Sequence, residues 1–563
     1  MRPSNPHGYT LLLLFIAGMG GLLYGYDIGI IGAALLYLGK TVDLTLREES
    51  LIVAAVLGGG MISSLAAGAL ADVTGRKKVM IASALMFVAS VALIVGSHGF
   101  APLFLGRGLQ GLSAGMIAVV IPLYLAECLP AEIRGRGTAA FQLMLTLGIF
   151  VSLSVGTHYA RSVDAVAGTL SGLELRNVED GAWRSMFLSA IYPGAIFLVG
   201  SFLVTESPRW LFRRGRTEQA LAALRRSRSS ADAEREFREM ADSLAHERAR
   251  KDAGVSREPL FQRKYVLPFV LACAVLGLNQ ATGINSILQF LVVILQQAGL
   301  PAGAAADKGS LVTLVNVVFT VAGLFLVDRL GRTALLKIGT AGIVAALLIA
   351  AGVFHGFESR RTDVTEALRA RVVNGRLTVP VNGGALGLPA SEGTTGLAVL
   401  YTYGSEERLA TGFSNDRDPV LRVEPDPTVK NSVPALTIKR AKYGAVPSAE
   451  TGNLIMMCLM LFIAAFAIGP GVCVWLALSE LMPTRIRSLG MGIGLLINQG
   501  VSTAIAAVFL PFVGNYGYAS VFLFWAACTA IYFIVAAFFL PETKGRTLEQ
   551  IEAFFAEVSK KAK

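Results

Sequence analysis

Tyr24-Gly-Tyr-Asp-Ile-Gly-Ile30 lies in the first apolar segment of the chain, after Leu11-Leu-Leu-Leu-Phe-Ile-Ala17 and before Ile30-Ile-Gly-Ala-Ala-Leu-Leu36. The run is long enough to cross a bilayer, which puts Asp27 at membrane depth. An ionisable residue there costs about 2.5–3.5 kcal/mol on insertion scales, and such residues face a bundle interior or an aqueous cavity. Asp27 therefore reads either as a buried carboxylate satisfied by backbone donors or as a proton or substrate site. Both readings demand other helices around it.

The composition supplies them. Of 563 residues, 54% are apolar and 16% charged, and the mean hydropathy is +0.59. Soluble domains carry about 25% charged residues. Many apolar stretches of roughly 20 residues make this a polytopic, all-α integral membrane protein. The net charge of +11 is better explained by Lys and Arg clustered in loops on one side of a bilayer than by nucleic acid. The five cysteines have no metal-ligand spacing and read as packing residues. The first apolar run lacks a cleavage site and reads as a retained transmembrane helix.

Twelve spans are expected, near 10–38, 50–71, 79–97, 102–126, 138–158, 186–204, 266–296, 310–327, 334–354, 453–478, 488–512 and 516–540. Basic residues recur in short loops of one parity: Arg76, Lys77 and Lys78; Arg134 and Arg136; Arg329, Arg332 and Lys337; Arg485 and Arg487. The positive-inside rule puts both termini in the cytoplasm, with the plasma membrane as the location. The chain then divides into an N-terminal six-helix bundle (1–208), cytoplasmic amphipathic helices (209–264) and the first part of a C-terminal six-helix bundle (265–355). An extracytoplasmic insert (356–451) and the rest of that bundle with a cytoplasmic tail (452–563) follow.

In residues 209–264, Leu221, Leu224, Phe237, Met240 and Leu244 recur at helical spacing. Its basic excess reads as a solvated face, or one near anionic lipid. The insert has strand-like patches, Arg376-Leu-Thr-Val-Pro-Val381 and Leu397-Ala-Val-Leu-Tyr-Thr-Tyr403, between Gly, Pro and Asp. It is expected to be a small, partly β excursion.

The two halves repeat. Asp72-Val-Thr-Gly-Arg-Lys77 is echoed by Asp328-Arg-Leu-Gly-Arg332. Glu127 with Ile133-Arg134-Gly135 is echoed by Glu480 with Ile486-Arg487-Ser488, and Glu206-Ser-Pro-Arg209 by Pro541-Glu-Thr-Lys-Gly545. The second echo is displaced further than the first by about the length of the insert, which therefore interrupts a duplicated six-helix unit. The bland reading is that these charges set topology and anchor helix ends. The favoured one is a latch that closes the cytoplasmic face by joining the halves: Glu127, Arg134, Glu206, Arg209, Glu480 and Arg487, with Arg76 and Arg332 in the tight turns.

These motifs resemble the sugar porter family of the major facilitator superfamily, which includes proton-coupled sugar symporters and glucose facilitators. Further residues carrying the resemblance are Gly68-Ala-Leu-Ala-Asp72, Gly106-Arg107-Gly108, Pro122-Leu-Tyr-Leu-Ala-Glu127, Trp210 and Gly283-Ile-Asn285. The resemblance covers the chain apart from the insert. It implies alternating access, with a hexose or pentose bound at the midplane between the halves.

A sugar offers many hydroxyls and an apolar ring face, so its site needs amides and an aromatic platform. Span seven carries Asn279, Gln280 and Asn285, span five Gln142, span eight Asn316, span ten Trp475, and span eleven Asn498 and Gln499. Each amide alone could instead make an interhelical hydrogen bond, worth about 0.6 kcal/mol on average. As a set they match positions at which sugar porters bind substrate. Two departures bear on the choice of sugar: Asn498-Gln499 stands where an amide–Trp pair is common, and Leu288-Gln289-Phe290 where two tyrosines are common.

Asp27 falls where the symporters of the family have an acidic residue, and Arg107 matches its basic partner. A neighbouring Arg favours the carboxylate and desolvation favours the neutral acid. Helices that part during transport would therefore let Asp27 gain and lose a proton once per cycle. The expected function is secondary active transport of a monosaccharide by proton symport. The alternatives are a facilitative sugar or polyol uniporter and a sugar sensor on a transporter body. The partners are a small sugar, protons and the lipid bilayer, with no nucleic acid. No cofactor or metal is expected, and the dispersed histidines and the lack of a nucleophile–base pair argue against an enzyme.

Overall fold

The structure, a computed structural model, describes residues 6–130, 133–170, 172–252, 263–389, 393–403, 406–414, 419–423, 436–481, 487–542, 544, 550 and 554–555. The first half comprises α1 (Pro6–Thr41), α2 (Leu46–Thr74), α3 (Arg76–Val95), α4 (Phe100–Cys128), α5 (Arg134–Ala167), α6 (Gly172–Leu188) and α7 (Ile191–Leu203). Three polar helices follow: α8 (Pro208–Arg213), α9 (Thr217–Ser227) and α10 (Ser230–Asp252). The second half opens with α11 (Arg263–Ala281), α12 (Ile284–Gln289), α13 (Leu291–Gln297), α14 (Ala302–Leu330) and α15 (Arg332–Glu358). After the insert come α17 (Ala449–Ile468), α18 (Pro470–Leu481), α19 (Arg487–Tyr516) and α20 (Tyr518–Ile534). Among the described residues, twelve segments are long and apolar enough to cross a membrane.

The fifth span runs on to Ala167 and the eighth begins at Ala302, each eight or nine residues beyond expectation, and three further spans differ in form. The sixth begins at Gly172 rather than near 186, with α6 turning into α7 at Ser189–Ala190. Its first turns carry charges that the sequence reads as loop. Three are held in ion pairs: Glu179 with Lys40 at 3.1 Å, and Asp180 with Arg184 at 2.7 Å. The seventh is not one continuous helix: Gly283 takes φ +84°, a left-handed conformation, and ends α11 before α12 begins. The tenth breaks at Gly469, because Pro470 cannot donate to the helix that would run through it.

Within the first half α1 packs on α5, and α2 on α4; in the second, α15 packs on α17 and α20. The halves meet along α2 with α19 and α5 with α14. Small residues set how close α1 comes to α5. Gly21, Gly25 and Gly29 are four apart and face one way; a Cβ on them would overlap the Phe141 carbonyl, the Leu145 carbonyl and the Ser152 hydroxyl in turn. Such small-residue contacts let backbones approach where lipid gives no hydrophobic drive to helix association. The consequence is that Asp27, between two of these glycines, is fully buried.

The insert is a β domain with one short helix: β1 (Thr362–Asp363), α16 (Thr365–Arg369), β2 (Leu377–Pro380), β3 (Thr395–Tyr403), β4 (Glu406–Phe413), β5 (Val420–Val423) and β6 (Leu436–Ala445). Four strands form an antiparallel sheet in the order β1-β6-β3-β4, and β2 pairs with β5. Leu377, Val379, Leu397, Val399, Leu421 and Ile438 make its own core. Period-two alternation places them on one face of each strand. Both expected strand patches are found, at β2 and β3.

Candidate functional site

Asp27 on α1 and Arg107 on α4 are both fully buried. Arg107 Nη1 donates to Asp27 Oδ1 at 2.5 Å and to Gln110 Oε1 at 2.8 Å. The guanidinium also lies over the Phe187 ring, 5.6 Å from its centroid. The pair is joined through one N–H rather than the parallel fork that Arg and carboxylate readily form. Asp27 Oδ2 and Arg107 Nη2 have no hydrogen bond to another described residue. A carboxylate held by one oxygen keeps the other open to a proton.

Three of the amides converge within the second half, on α11, α12 and α19. Gln280 Nε2 donates to Asn498 Oδ1 at 3.1 Å, and Asn285 Nδ2 donates to Gln280 Oε1 at 2.9 Å and to Ser502 Oγ at 2.8 Å. Asn498 Nδ2 donates in turn to the Leu276 carbonyl at 3.1 Å. The break at Gly283 makes this possible, since it folds Asn285 back onto Gln280. A straight helix would have sent the two side chains in different directions. The face of Trp525 fills the space beside Gly283, where a Cβ would overlap its ring, and Trp525 stacks on Phe509, which stacks on Phe290.

The remaining expected residues are placed less closely. Asn279 is buried and its Oδ1 has no partner among the described residues. Asn316, buried on α14, accepts a long hydrogen bond of 3.5 Å from Thr320. Gln142, half-buried on α5, makes no hydrogen bond to another described residue. The side chain of Trp475 lies outside the described residues. Gln499 Nε2 donates across the interface to the Tyr24 hydroxyl at 3.3 Å. Tyr24 and Ser502 are additions to the expected set. Each had a signal, since Tyr24 stands one helical turn before Asp27 and Ser502 one turn after Asn498.

On the face where the described chain begins and ends, at Pro6 and Phe555, the described charges form a cluster within the first half. Arg76 donates to Glu127 from Nε at 2.8 Å and from Nη2 at 2.9 Å, and Ser207 Oγ donates to Glu127 at 2.5 Å. The Glu206 carboxylate accepts the backbone N–H groups of Arg76 and Lys77 at 2.9 and 3.1 Å. It thereby caps α3 where Gly75 turns at φ +104°. The second half repeats the device: Glu542 accepts from the Arg332 and Thr333 N–H groups at 3.1 and 3.0 Å, beside Gly331 at φ +88°. Arg209 is exposed, and the side chains of Arg134, Glu480 and Arg487 lie outside the described residues. The latch expected between the halves is thus met by no described contact. In the described contacts, Arg76 and Arg332 each reach a group of their own half.

On the opposite, insert-bearing face, described contacts do join the halves. Arg161 on α5 makes a two-pronged pair with Asp307 on α14, at 2.9 and 3.0 Å. Thr157 and Ser310 share a hydrogen bond of 2.8 Å one turn deeper.

Comparison with known proteins accords with this arrangement. The family model described as "Sugar (and other) transporter" matches residues 13–368 and 435–555, and the unmatched stretch lies inside the insert. The chain is 29% identical to a probable inositol transporter of Arabidopsis thaliana over 98% of this chain and 91% of that one. It is 28% identical to the glucose transporter GlcP of Staphylococcus epidermidis over 96% of each. The xylose transporter XylE from E. coli, in a partially occluded inward open conformation, shares the fold with a TM-score of 0.67 at 20% identity, covering 96% of this chain and all of that one. With both halves matched and the fold shared end to end, the chain is a multi-pass membrane protein of the sugar transporter family, built on the major facilitator fold.

Proposed function

We propose that the protein is a proton-coupled carrier of a monosaccharide that works by alternating access. The observation that carries this is the single-pronged, fully buried Asp27–Arg107 pair, one helical turn from Tyr24, which reaches Gln499 in the other half. Asp27 is the proton acceptor, and Arg107 stabilises its charged form. Asn279, Gln280, Asn285, Asn316, Asn498 and Gln499, with Gln142 and Trp475, bind the substrate hydroxyls and ring. The face bearing the termini is cytoplasmic, as its Lys and Arg excess requires. Arg76, Glu127, Arg134, Glu206, Arg209, Arg332, Glu480 and Arg487 form the cytoplasmic gate region, in which the described contacts brace each half by itself.

When sugar enters, the amides exchange their bonds to one another for bonds to its hydroxyls. Gln280, Asn285 and Asn498 lie on the second half and Tyr24 on the first, so a ligand spanning both is held best when the halves are drawn together. Movement of α1 against α4 then alters the Asp27–Arg107 contact and with it the ease of proton release.

A polyol such as inositol is the second reading, favoured by the inositol transporter relative and by a site richer in amides than in aromatics. The deciding experiment is uptake of labelled xylose, glucose and myo-inositol by proteoliposomes, with and without a pH gradient that is acid outside. Accumulation that follows the gradient supports symport. Equilibration that ignores it supports a uniporter, and binding without flux supports a sensor.

A further inference from the structure

The chain enters and leaves the insert within the second half, yet the insert touches both halves. Arg440 on β6 donates to the Asn515 carbonyl at the end of α19, in its own half. Arg408 on β4 pairs with Asp43, in the connection between α1 and α2 of the other half. Between these contacts lies Leu400 on β3. Its neighbours Leu397 and Val399 belong to the insert's core, whereas Leu400, 3% exposed, joins the apolar cluster of the membrane bundle. A Cβ at Gly514 would stand 3.4 Å from Leu46 and 3.9 Å from Leu400, so α2, α19 and β3 meet at one point. One turn deeper, the Leu510 N–H of α19 donates to Ser50 Oγ of α2 at 3.1 Å.

We infer that the insert is a strap that holds the outer face of the transporter shut. It travels with the second half and grips the first through Asp43 and Leu46. A rocking motion that separates Thr157 from Ser310, and so opens the outer face, must also pull Asp43 from Arg408 and draw Leu46 away from the apolar surface that Gly514 and Leu400 share. The inference rests on the alternating-access reading above. Leu400 is the main anchor, because an exposed ion pair shifts an equilibrium by about fivefold at most, whereas uncovering a large apolar side chain shifts it by roughly tenfold or more. The strap therefore favours the state open to the cytoplasm and makes outward opening the costlier half of the cycle.

Two measurements on the full chain in proteoliposomes test this. In a background with the five native cysteines replaced, an Asp43→Cys/Arg408→Cys pair is oxidised and the crosslink confirmed by mass spectrometry. Oxidation is expected to cut uptake of the labelled sugar or polyol at least tenfold, and reductant to restore it. Uptake that continues at the reduced protein's rate with the crosslink in place overturns the strap. The second measurement needs no transported substrate, so it separates failure of the strap from failure of the transport reading. Thr157→Cys reports outer opening through its rate of labelling by a membrane-impermeant maleimide. Leu400→Ser is expected to raise that rate roughly tenfold, and Arg408→Gln by up to about fivefold, in protein that remains monodisperse. The Asp43→Arg/Arg408→Asp exchange should bring it back toward the parent. Labelling unchanged in both single variants overturns the inference.

Discussion

The guanidinium of Arg76 meets the carboxylate of Glu127 through two parallel hydrogen bonds, with side chains only 4% and 10% exposed. Arg supplies a planar fork that Lys cannot replace. Glu127→Ala would leave Arg76 without its main partner, and removal of one member of a buried pair costs about 3–5 kcal/mol. Solvent at the edge of the cluster puts this case at the lower end. The expected outcome is a clear fall in the thermal unfolding midpoint in detergent, with Arg76→Lys intermediate. Equal midpoints for Glu127→Ala and the parent would show that the cluster braces nothing.

Asp27→Asn removes the titrating group and keeps the shape. In proteoliposomes the variant should lose uphill accumulation driven by a pH gradient while still exchanging labelled for unlabelled substrate. Accumulation that survives the substitution would remove Asp27 from the coupling mechanism.

Asn285 makes two of the hydrogen bonds that tie the amide site together. Asn285→Ala should weaken substrate binding roughly tenfold, since a lost hydrogen bond with a partner left unpaired costs about 1–3 kcal/mol. Ser502→Ala should cost about threefold, from the average of about 0.6 kcal/mol for such bonds in membranes. Binding titrations would check both. The reverse order of effects would mean that Ser502, not Asn285, fixes the site.

In the insert, the Thr365 N–H donates to Asp363 Oδ1 at 2.9 Å. Hydrogen bonding from the Thr365 side chain first, and then from this N–H, holds the carboxyl below its usual value, with Arg440 and Lys442 helping. A depressed folded pKa gives stability that is present above the unfolded value, about 3.9, and is lost as pH falls through the folded value. Hydrogen-exchange protection in α16 and β1, taken relative to the intrinsic exchange rate, should therefore fall below about pH 4, and Asp363→Asn should flatten that dependence. An unchanged profile in the variant would assign the acid sensitivity elsewhere.

Much of this was legible in the sequence, for reasons of solvent physics. Apolar runs announce membrane spans, and a charge inside one, such as Asp27 or Arg107, announces a partner. The repeated Glu206 and Glu542 were visible as a repeat, but their role as helix caps was not, because capping depends on where a chain end returns in space. Gln280 and Asn285 would point apart on an unbroken helix, and a single glycine carries little warning of a break. Ser502 and Tyr24 are ordinary in membrane helices, so neither stands out until Asn285 and Gln499 are seen beside them. In the insert, β2 and β3 showed their alternation. The edge strand β4 is half polar, and nothing in its pattern signalled that Arg408 would reach across to Asp43.

The line of glycines on α1 has a meaning for variation as well as for packing. Every missense single-base change in a glycine codon adds at least one carbon atom, and at Gly21, Gly25 and Gly29 that atom has no room. Among naturally occurring alleles these three positions should be nearly silent, while lipid-facing Leu11 and Phe15 on the same helix drift freely. Asp27 would thus be sheltered by neighbours that selection guards for reasons of space, apart from any selection on its own chemistry.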